Sequence, residues 1–368
     1  MKKIGVIFVV VIMVVLVAMS ASALDATGQC GDNVYWEYDE STKELIISGE
    51  GATYDEAIFN NSDIESVVIE DGVTSIGDAM FFYCKSLKSI TIPDSVTSIG
   101  HNTFTDCYSL ESITIPDSVT SMGRSTFSKC YGLKSVTIPD GLQSIDAQTF
   151  YKCDSLTSVT IPNSVTSIDE QAFYSCDNLE SIIIPDSVTI MGMDVFANCR
   201  NLKSVTLSDS LTRISEGAFR SCSSLESITI PDSVTSIDIE AFAGCSGLES
   251  IAIPEGVISI DDGAFASCDH LKSITISKSI RRIGERVFYN SNSLTDVYFT
   301  GTNKQWENID IMTVGNDALF NATIHFLGGV EPDTPDTPEE PEEELNFFEK
   351  IIKWFKDLFE KLFGWMKR

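Results

Sequence analysis

The chain has 368 residues, 43% of them apolar, and its 54 acidic side chains against 25 basic ones give a formal charge of -29. That balance argues against a nucleic-acid partner, since phosphate binding needs Lys and Arg to release counterions, and it keeps the surface soluble. The three histidines, His101, His270 and His325, are scattered, and no C-x-x-C, H-E-x-x-H or glycine-rich phosphate loop occurs. Neither metal nor cofactor is expected, and without a convergent acid, base or nucleophile the chain does not read as an enzyme.

Residues 1–23 open with Lys2 and Lys3, run apolar from Ile4 to Met19 and end in Ala21-Ser22-Ala23. This is the layout of a signal peptide, with Leu24 at the mature start; an uncleaved anchor is the weaker alternative, because the run is shorter than the ~20 residues of a membrane span. Residues 24–63 then read as an N-terminal cap. Val34–Tyr38 and Glu44–Gly49 are strand-like and joined by a polar turn at Asp39–Lys43.

From 64 to 293 the sequence repeats every 23 residues without an insertion. Ten units begin at Ile64, Leu87, Leu110, Leu133, Leu156, Leu179, Leu202, Leu225, Leu248 and Leu271. A unit this small cannot bury both sides of its own apolar set, so the units must stack as a solenoid. In the unit from Leu225 to Gly247, Ile228-Thr229-Ile230 alternates as a half-buried strand and Pro231-Asp232-Ser233 stops it. Val234–Ile237 is a second extended run, and Ala241–Cys245 a tight helical or 3₁₀ turn. Leu225, Ile228, Ile230, Val234, Ile237, Phe242, Cys245 and their counterparts face inward. Neighbouring strands form the rungs of a parallel sheet.

Residues 294–330 break the period and read as a last strand and C-terminal cap, with Val297–Phe299, a turn around Trp306 and a strand at Ala322–Phe326. Residues 331–344 hold eight carboxylates and four prolines and read as an extended linker. In residues 345–368 the apolar positions Phe348, Ile352, Phe355, Phe359 and Leu362, flanked by Trp354 and Trp365, define an amphipathic helix with lysines on another side. It suits an anionic envelope interface, self-association, or docking onto the array.

The pattern L-x-S-I-T-I-P-D-S-V-T-S-I-x-x-x-A-F-x-x-C closely resembles the BspA-like leucine-rich repeats of secreted bacterial and protist surface proteins. The resemblance covers Ile64 to about Phe299, and the segments around Cys30–Asn33 and Asn321–His325 resemble those that flank such arrays. It implies a capped repeat solenoid of the leucine-rich-repeat type, made mainly of short parallel strands. It further implies a secreted, surface-associated binding or adhesion protein, whose partner would be a protein or polysaccharide on host, matrix or neighbouring cell. A structural or self-assembling envelope component without external ligand is the alternative.

Three ladders carry the candidate chemistry. Nine cysteines, from Cys84 to Cys268, recur at 23-residue spacing with Ser291 in the next place. Equivalent side chains on stacked coils point the same way, so inert core thiols are favoured over disulfides. Ser89 and Thr91, repeated as Ser112 and Thr114, Ser135 and Thr137, Ser227 and Thr229, Ser273 and Thr275, should project outward as a hydroxyl face. Its readings are ordinary rung contacts or recognition of a polymer or an ordered water lattice. Asp94, Asp117, Asp140, Asp186, Asp209 and Asp232, interrupted by Asn163 and continued by Glu255, are expected to bond amides two residues on within their own turns. Attraction of divalent cations is the sharper alternative. Charges alternating along Lys88, Glu111 and Lys134, and along Glu180, Lys203 and Glu226, read as cross-rung pairing.

Overall fold

A computed structural model describes residues 26–60 and 63–328. The expected signal peptide at 1–23, linker at 331–344 and amphipathic helix at 345–368 fall outside the described residues.

The array is a right-through parallel solenoid whose inward residues are those the repeat marks. Leu225, Val234, Ile237, Phe242 and Cys245 are fully buried, and Ile228 and Ile230 nearly so. The same holds in every coil, so one continuous core runs the length of the array. Its axis is a column of phenylalanines from Phe59 to Phe288. Successive rings lie 5.2–5.9 Å apart and within 17° of parallel. Each ring presents its face to the next coil, a geometry that adds to the burial gain.

The segment carrying this phenylalanine is the most regular part of the coil. In the first coil Ala79, Phe81 and Tyr83 donate their N–H groups to the carbonyls of His101, Thr103 and Thr105 in the next. Between them, Phe82 and Cys84 donate back to Ala79 and Phe81, three residues earlier. Alternate amides thus serve the coil and its neighbour. The three bonds between coils repeat at all nine junctions between the ten coils, with N···O distances of 2.6–3.0 Å, while in the ninth coil the Cys268 amide turns to Ser291 Oγ at 3.0 Å. It requires two left-handed residues per coil, such as Ala79 and Tyr83 or Gln171 and Ser175, with φ between +53° and +74°. These residues stop the i→i−3 turns from winding into a helix. Only Gly217, Gly244 and Gly263 meet that demand without a Cβ penalty.

The first strand of each coil is less uniform than the repeat suggests. Ser112–Thr114 pairs with Ser135–Thr137, and Ser181–Ile183 with Ser204–Thr206, both in parallel register. The Leu156 unit keeps only a bridge from Thr160 to Thr137. In the Leu225 unit the expected strand Ile228–Ile230 is not formed, although Ile228 and Ile230 stay buried and Ser227 and Thr229 exposed. The coil path is held there by the core and the turn ladder, so strand pairing can lapse without changing which side chains face in. Short second strands, such as Ser236–Ile237 between Arg213–Ile214 and Ser259–Ile260, form another discontinuous parallel ladder.

Both ends are closed by chain that departs from the period. At the N-terminus, β1 (Ala26–Gly31), β2 (Val34–Asp39) and β3 (Glu44–Gly49) form an antiparallel meander. β3 then pairs in parallel with the array strand Ser66–Ile69, so the lid continues the sheet. Gly49, at φ +126°, lies where a Cβ would sit 2.0 Å from the Asn33 carbonyl oxygen. At the C-terminus the strands Asp296–Phe299 and Thr323–Phe326 extend the ladder. Between them, the helix Asn303–Trp306 begins with a capping box formed by Thr302 and Gln305. Buried Asn316 stands in for a missing coil: its Oδ1 accepts from the Phe288 N–H at 3.2 Å, and its Nδ2 donates to Gly284 and Met312 carbonyls at 2.8 and 2.7 Å.

The ten cysteines are buried, and the nine in the array share one role. Each Sγ donates to the carbonyl of the phenylalanine one coil back, as from Cys107 to Phe81 at 3.3 Å and Cys245 to Phe219 at 3.1 Å. Ser291 makes the same bond, to Phe265, at 2.7 Å. Burial pushes Cys199 and Cys268 up to about 12 and Cys30 to about 11, from an ordinary 9.0.

Two outcomes follow from this packing. Phe173→Ala, which opens a gap in the column, is expected to destabilise the array by about 3–5 kcal/mol in a denaturant titration. Between pH 9 and 12 the folded thiols keep protons that the unfolded chain has released, so their contribution is complete below about pH 9 and declines as pH rises toward 12. The melting temperature should fall across that window, and fall less steeply in a variant carrying Cys199→Ser and Cys268→Ser, since serine keeps the bond and does not ionise there.

Candidate binding face

The strand side of the coils places the predicted hydroxyls where a partner could reach them. Ser89, Thr91, Ser112, Thr114, Ser135, Thr137, Ser227 and Thr229 are exposed, while Ser273 and Thr275 are half-buried near the C-terminal lid. Register stacks like on like: Ser135 lies beside Ser112 and Thr137 beside Thr114. The threonine row is interrupted by Ile183, 67% exposed, and by Ala252 beside Thr275. It ends on Tyr298, whose ring stacks on His325 at 4.7 Å.

The acidic row borders the same face. Asp94, Asp117, Asp140, Asp186, Asp209, Asp232 and Glu255 are all exposed at the turns that end the strands. For Asp117 and Asp186 the expected bonds within their own turns are replaced by bonds between coils. Asp117 Oδ1 accepts from the Asp140 N–H at 3.3 Å and Asp186 Oδ1 from the Asp209 N–H at 2.9 Å. The local amide is already taken, since Val119 donates to the Pro116 carbonyl and Val188 to that of Pro185. Stacking supplies another N–H on the same corner one coil away.

Hydroxyl and carboxylate rows meet in shallow depressions. One is lined by Ser89, Thr91, Asp94, Ser112, Thr114 and Asp117, and a second by Ile183, Pro185, Asp186, Thr206 and Asp209. Periodicity identifies each row, but only folding shows that they line a common surface. The adjacent edge carries the cross-rung ion pairs Lys134–Glu111 at 2.8 Å, Lys203–Glu180 at 3.1 Å and Lys272–Glu249 at 3.1 Å, with Lys88–Glu65 in the first coil. Being exposed and screened by solvent, these pairs add little to stability.

Sequence periodicity gave no sign of one further cross-coil contact. Arg220 reaches Asp194 in the coil before at 2.9 Å and Glu240 in the coil after at 3.1 Å, clamping three coils through residues that are not repeated.

The histidines are engaged between coils. His101 Nδ1 accepts from the Arg124 N–H at 2.9 Å, His270 Nδ1 lies 2.7 Å from the Ser246 carbonyl, and His325 Nε2 lies 2.7 Å from Asp296 Oδ1. Among the described residues no group of three His, Cys, Asp or Glu is placed to hold a metal. Nor is any helix among them long and apolar enough to cross a membrane. The residues of the expected amphipathic helix, Phe348, Ile352, Trp354, Phe355, Phe359, Leu362 and Trp365, lie outside the described residues.

Parallel coils, a leucine at the start of every unit after the first, which has Ile64, and an outward strand face define a leucine-rich-repeat solenoid. The family model for the BspA type leucine rich repeat region matches residues 52–179 and 166–295, and the chain belongs to that family. Proteins with such repeats generally bind other proteins and are generally non-enzymatic scaffolds. Similar solved structures include a leucine rich cell surface protein of Faecalibacterium prausnitzii, 28% identical over 76% of this chain and 96% of its own, with a TM-score of 0.42. A leucine-rich repeat protein of Bacteroides ovatus is 24% identical over 80% and 98%, with a TM-score of 0.45. The pneumococcal vaccine antigen PcpA is 15% identical over 85% and 100%, with a TM-score of 0.41. No curated protein sequence matches.

A cation on the acidic row would raise stability by mass action. With Asp117 and Asp186 already serving backbone amides, chelator at low salt is expected to leave the melting temperature unchanged; a fall of several degrees would put a divalent cation on that row.

Proposed function

We propose that this chain is a secreted, cell-surface-associated binding or adhesion protein that engages a partner along the Ser/Thr and Asp face of the solenoid. The carrying observation is the division of labour within each coil. Leucine, isoleucine, phenylalanine and cysteine are consumed by the core, whereas the strand side offers exposed hydroxyls and carboxylates on a rigid frame. A partner contacting several coils at once gains from weak contacts whose ordering entropy is already lost in folding. The partner is a protein on host, matrix or neighbouring cell, and a polysaccharide is the alternative ligand. Export through the signal peptide at 1–23 and retention at the envelope through residues 345–368 complete the reading.

The second reading is a structural, self-assembling envelope component with no external ligand. Its support is a self-complementary charge pattern on the turn edge of the first five coils.

The two readings separate in a binding assay on cells. Full-length protein and a variant carrying Thr91→Lys, Thr114→Lys and Thr137→Lys are compared for adherence to matrix-coated and cell-coated surfaces, alongside deletion of residues 345–368. Adherence lost in the lysine variant, with melting unchanged, is the expected result. Adherence that ignores the lysines but disappears with the deletion would transfer the activity from the solenoid face to the terminal segment.

A further inference from the structure

The turn edge of the array is not uniform along its length. Its first five coils carry Phe82, Tyr83, Tyr108, Tyr131, Tyr151 and Tyr174, all half-buried. Tyr108 and Tyr131 lie 5.2 Å apart, Tyr151 and Tyr174 5.0 Å apart, and Tyr83 meets Tyr108 edge to face at 6.2 Å. Lys85 sets its ammonium 4.0 Å from the centre of the Tyr83 ring, and Lys152 lies 5.6 Å from that of Tyr151.

The repeat supplies its own control for what these rings do. In the Leu225 coil the corresponding places hold Ala243, Gly244 and Ser246, yet the ladder is undisturbed: Gly244 donates to Ala266 at 2.7 Å where Tyr83 donates to Thr105 at 2.8 Å. The coil therefore needs no aromatic side chain on this edge. Half-exposed tyrosines in register are costly to leave in water and are typical of protein interfaces.

Charge along the edge has a specific order. Reading the row that starts at Lys85, the five coils present Lys85, Tyr108, Tyr131, Asp154 and Asp177. The row that starts at Tyr83 presents Tyr83, Asp106, Lys129, Lys152 and Ser175. Reversing either row places opposite charges together: Lys85 falls on Asp177 in the first, and Lys152 on Asp106 in the second. Both reversals share one centre, the coil of Lys129 and Tyr131.

We propose that this edge is a two-fold interface between two copies of the chain, packed antiparallel about an axis through that central coil. Such an axis brings each row onto itself in reverse order, the self-complementarity an isologous interface demands. Lys85 meets the other copy's Asp177 twice, and Tyr131 meets its own counterpart between them. Asp177 is half-buried: its Oδ1 is enclosed, so the pairing uses Oδ2, which lies 3.8 Å from Arg200. Asp106 is 7% exposed, so the Lys152 pairing is the weaker of the two. Lys129 opposite Lys129 is the single like-charge meeting, and its long side chain must turn aside. The net acidity of the chain opposes association at low salt, whereas at 0.15 M the Debye length of ~8 Å leaves local complementarity in charge. The interface leaves the Ser/Thr face open, so it stands or falls independently of ligand binding.

Sedimentation equilibrium of the full chain at 0.15 M salt, across micromolar concentrations, tests this. A monomer–dimer equilibrium is expected, weakened about tenfold or more by Lys85→Asp, by Asp177→Lys or by Tyr131→Ser. The double variant Lys85→Asp/Asp177→Lys exchanges the two signs and should restore association, with thermal melting confirming that each variant is folded. Should Asp177→Lys melt early, Lys85→Asp and Tyr131→Ser decide the matter. A monomer at all concentrations overturns the proposal. So does a dimer that none of these changes weakens, or a double variant that stays monomeric.

Discussion

Every coil of this protein depends on alternate amides in one short turn pointing in different directions. If Phe82 and Cys84 did not close bonds within the coil while Ala79, Phe81 and Tyr83 bonded the next, the segment would wind into a helix and the stack would lose its most regular junction. The cost is two left-handed residues per coil, most with a Cβ, at roughly 1–2 kcal/mol each. It is offset by two things on the same segment: buried hydrogen bonds to the neighbouring coil, and the phenylalanine that each turn carries into the stacked column. Local strain is accepted because it is repaid at the interface, which makes a single coil unstable and a stack cooperative.

That arrangement explains why the rest of the coil can vary. With the turn ladder and core in place, the first strand can lose its pairing at Ile228–Ile230 while keeping its buried and exposed sides. The strand face is free to carry Ser, Thr, Ile183 or Ala252, and the turn edge to carry tyrosine or glycine, without altering the path of the chain. The frame is conserved from coil to coil within the molecule, and chemical individuality lies in rows of outward residues. Two such rows differ in kind. The hydroxyl and carboxylate face is long and nearly uniform, suited to a partner met over many coils, while the aromatic edge is concentrated in the first five coils, with Tyr289 alone in the tenth, and is ordered in charge.

The ends obey the same constraint in a different way. A solenoid cut anywhere exposes amides and a phenylalanine face, and each lid supplies what the absent coil would have given. Asn316 offers a side-chain oxygen to the Phe288 amide, and Trp36 places its ring edge-on to Phe59 at 5.5 Å. Ser291 takes over the cysteine's bond at the last coil with a hydroxyl, which shows that the position needs a small donor more than it needs sulfur.

What the sequence determined alone was the frame. A 23-residue period with alternating Ile-Thr-Ile and a recurrent Phe and Cys leaves few choices for which residues turn inward, because burial follows from apolar spacing and spacing is visible in one dimension. The hydroxyl row was legible for the same reason, being the other half of that alternation. Tertiary structure alone decided what depends on the neighbouring coil. The Asp117 carboxylate was expected to satisfy its own turn and instead bonds Asp140, because Pro116 had already occupied the local amide. The left-handed pairs carry residues as different as Ala79, Gln171 and Arg286, so no residue type announces them. The aromatic edge lies diagonally across rows, with Phe82, Tyr83 and Tyr108 at three different places in the repeat. Residues at different places in the period become neighbours only when coils stack about 5 Å apart, and that distance is set by hydrogen bonding between coils.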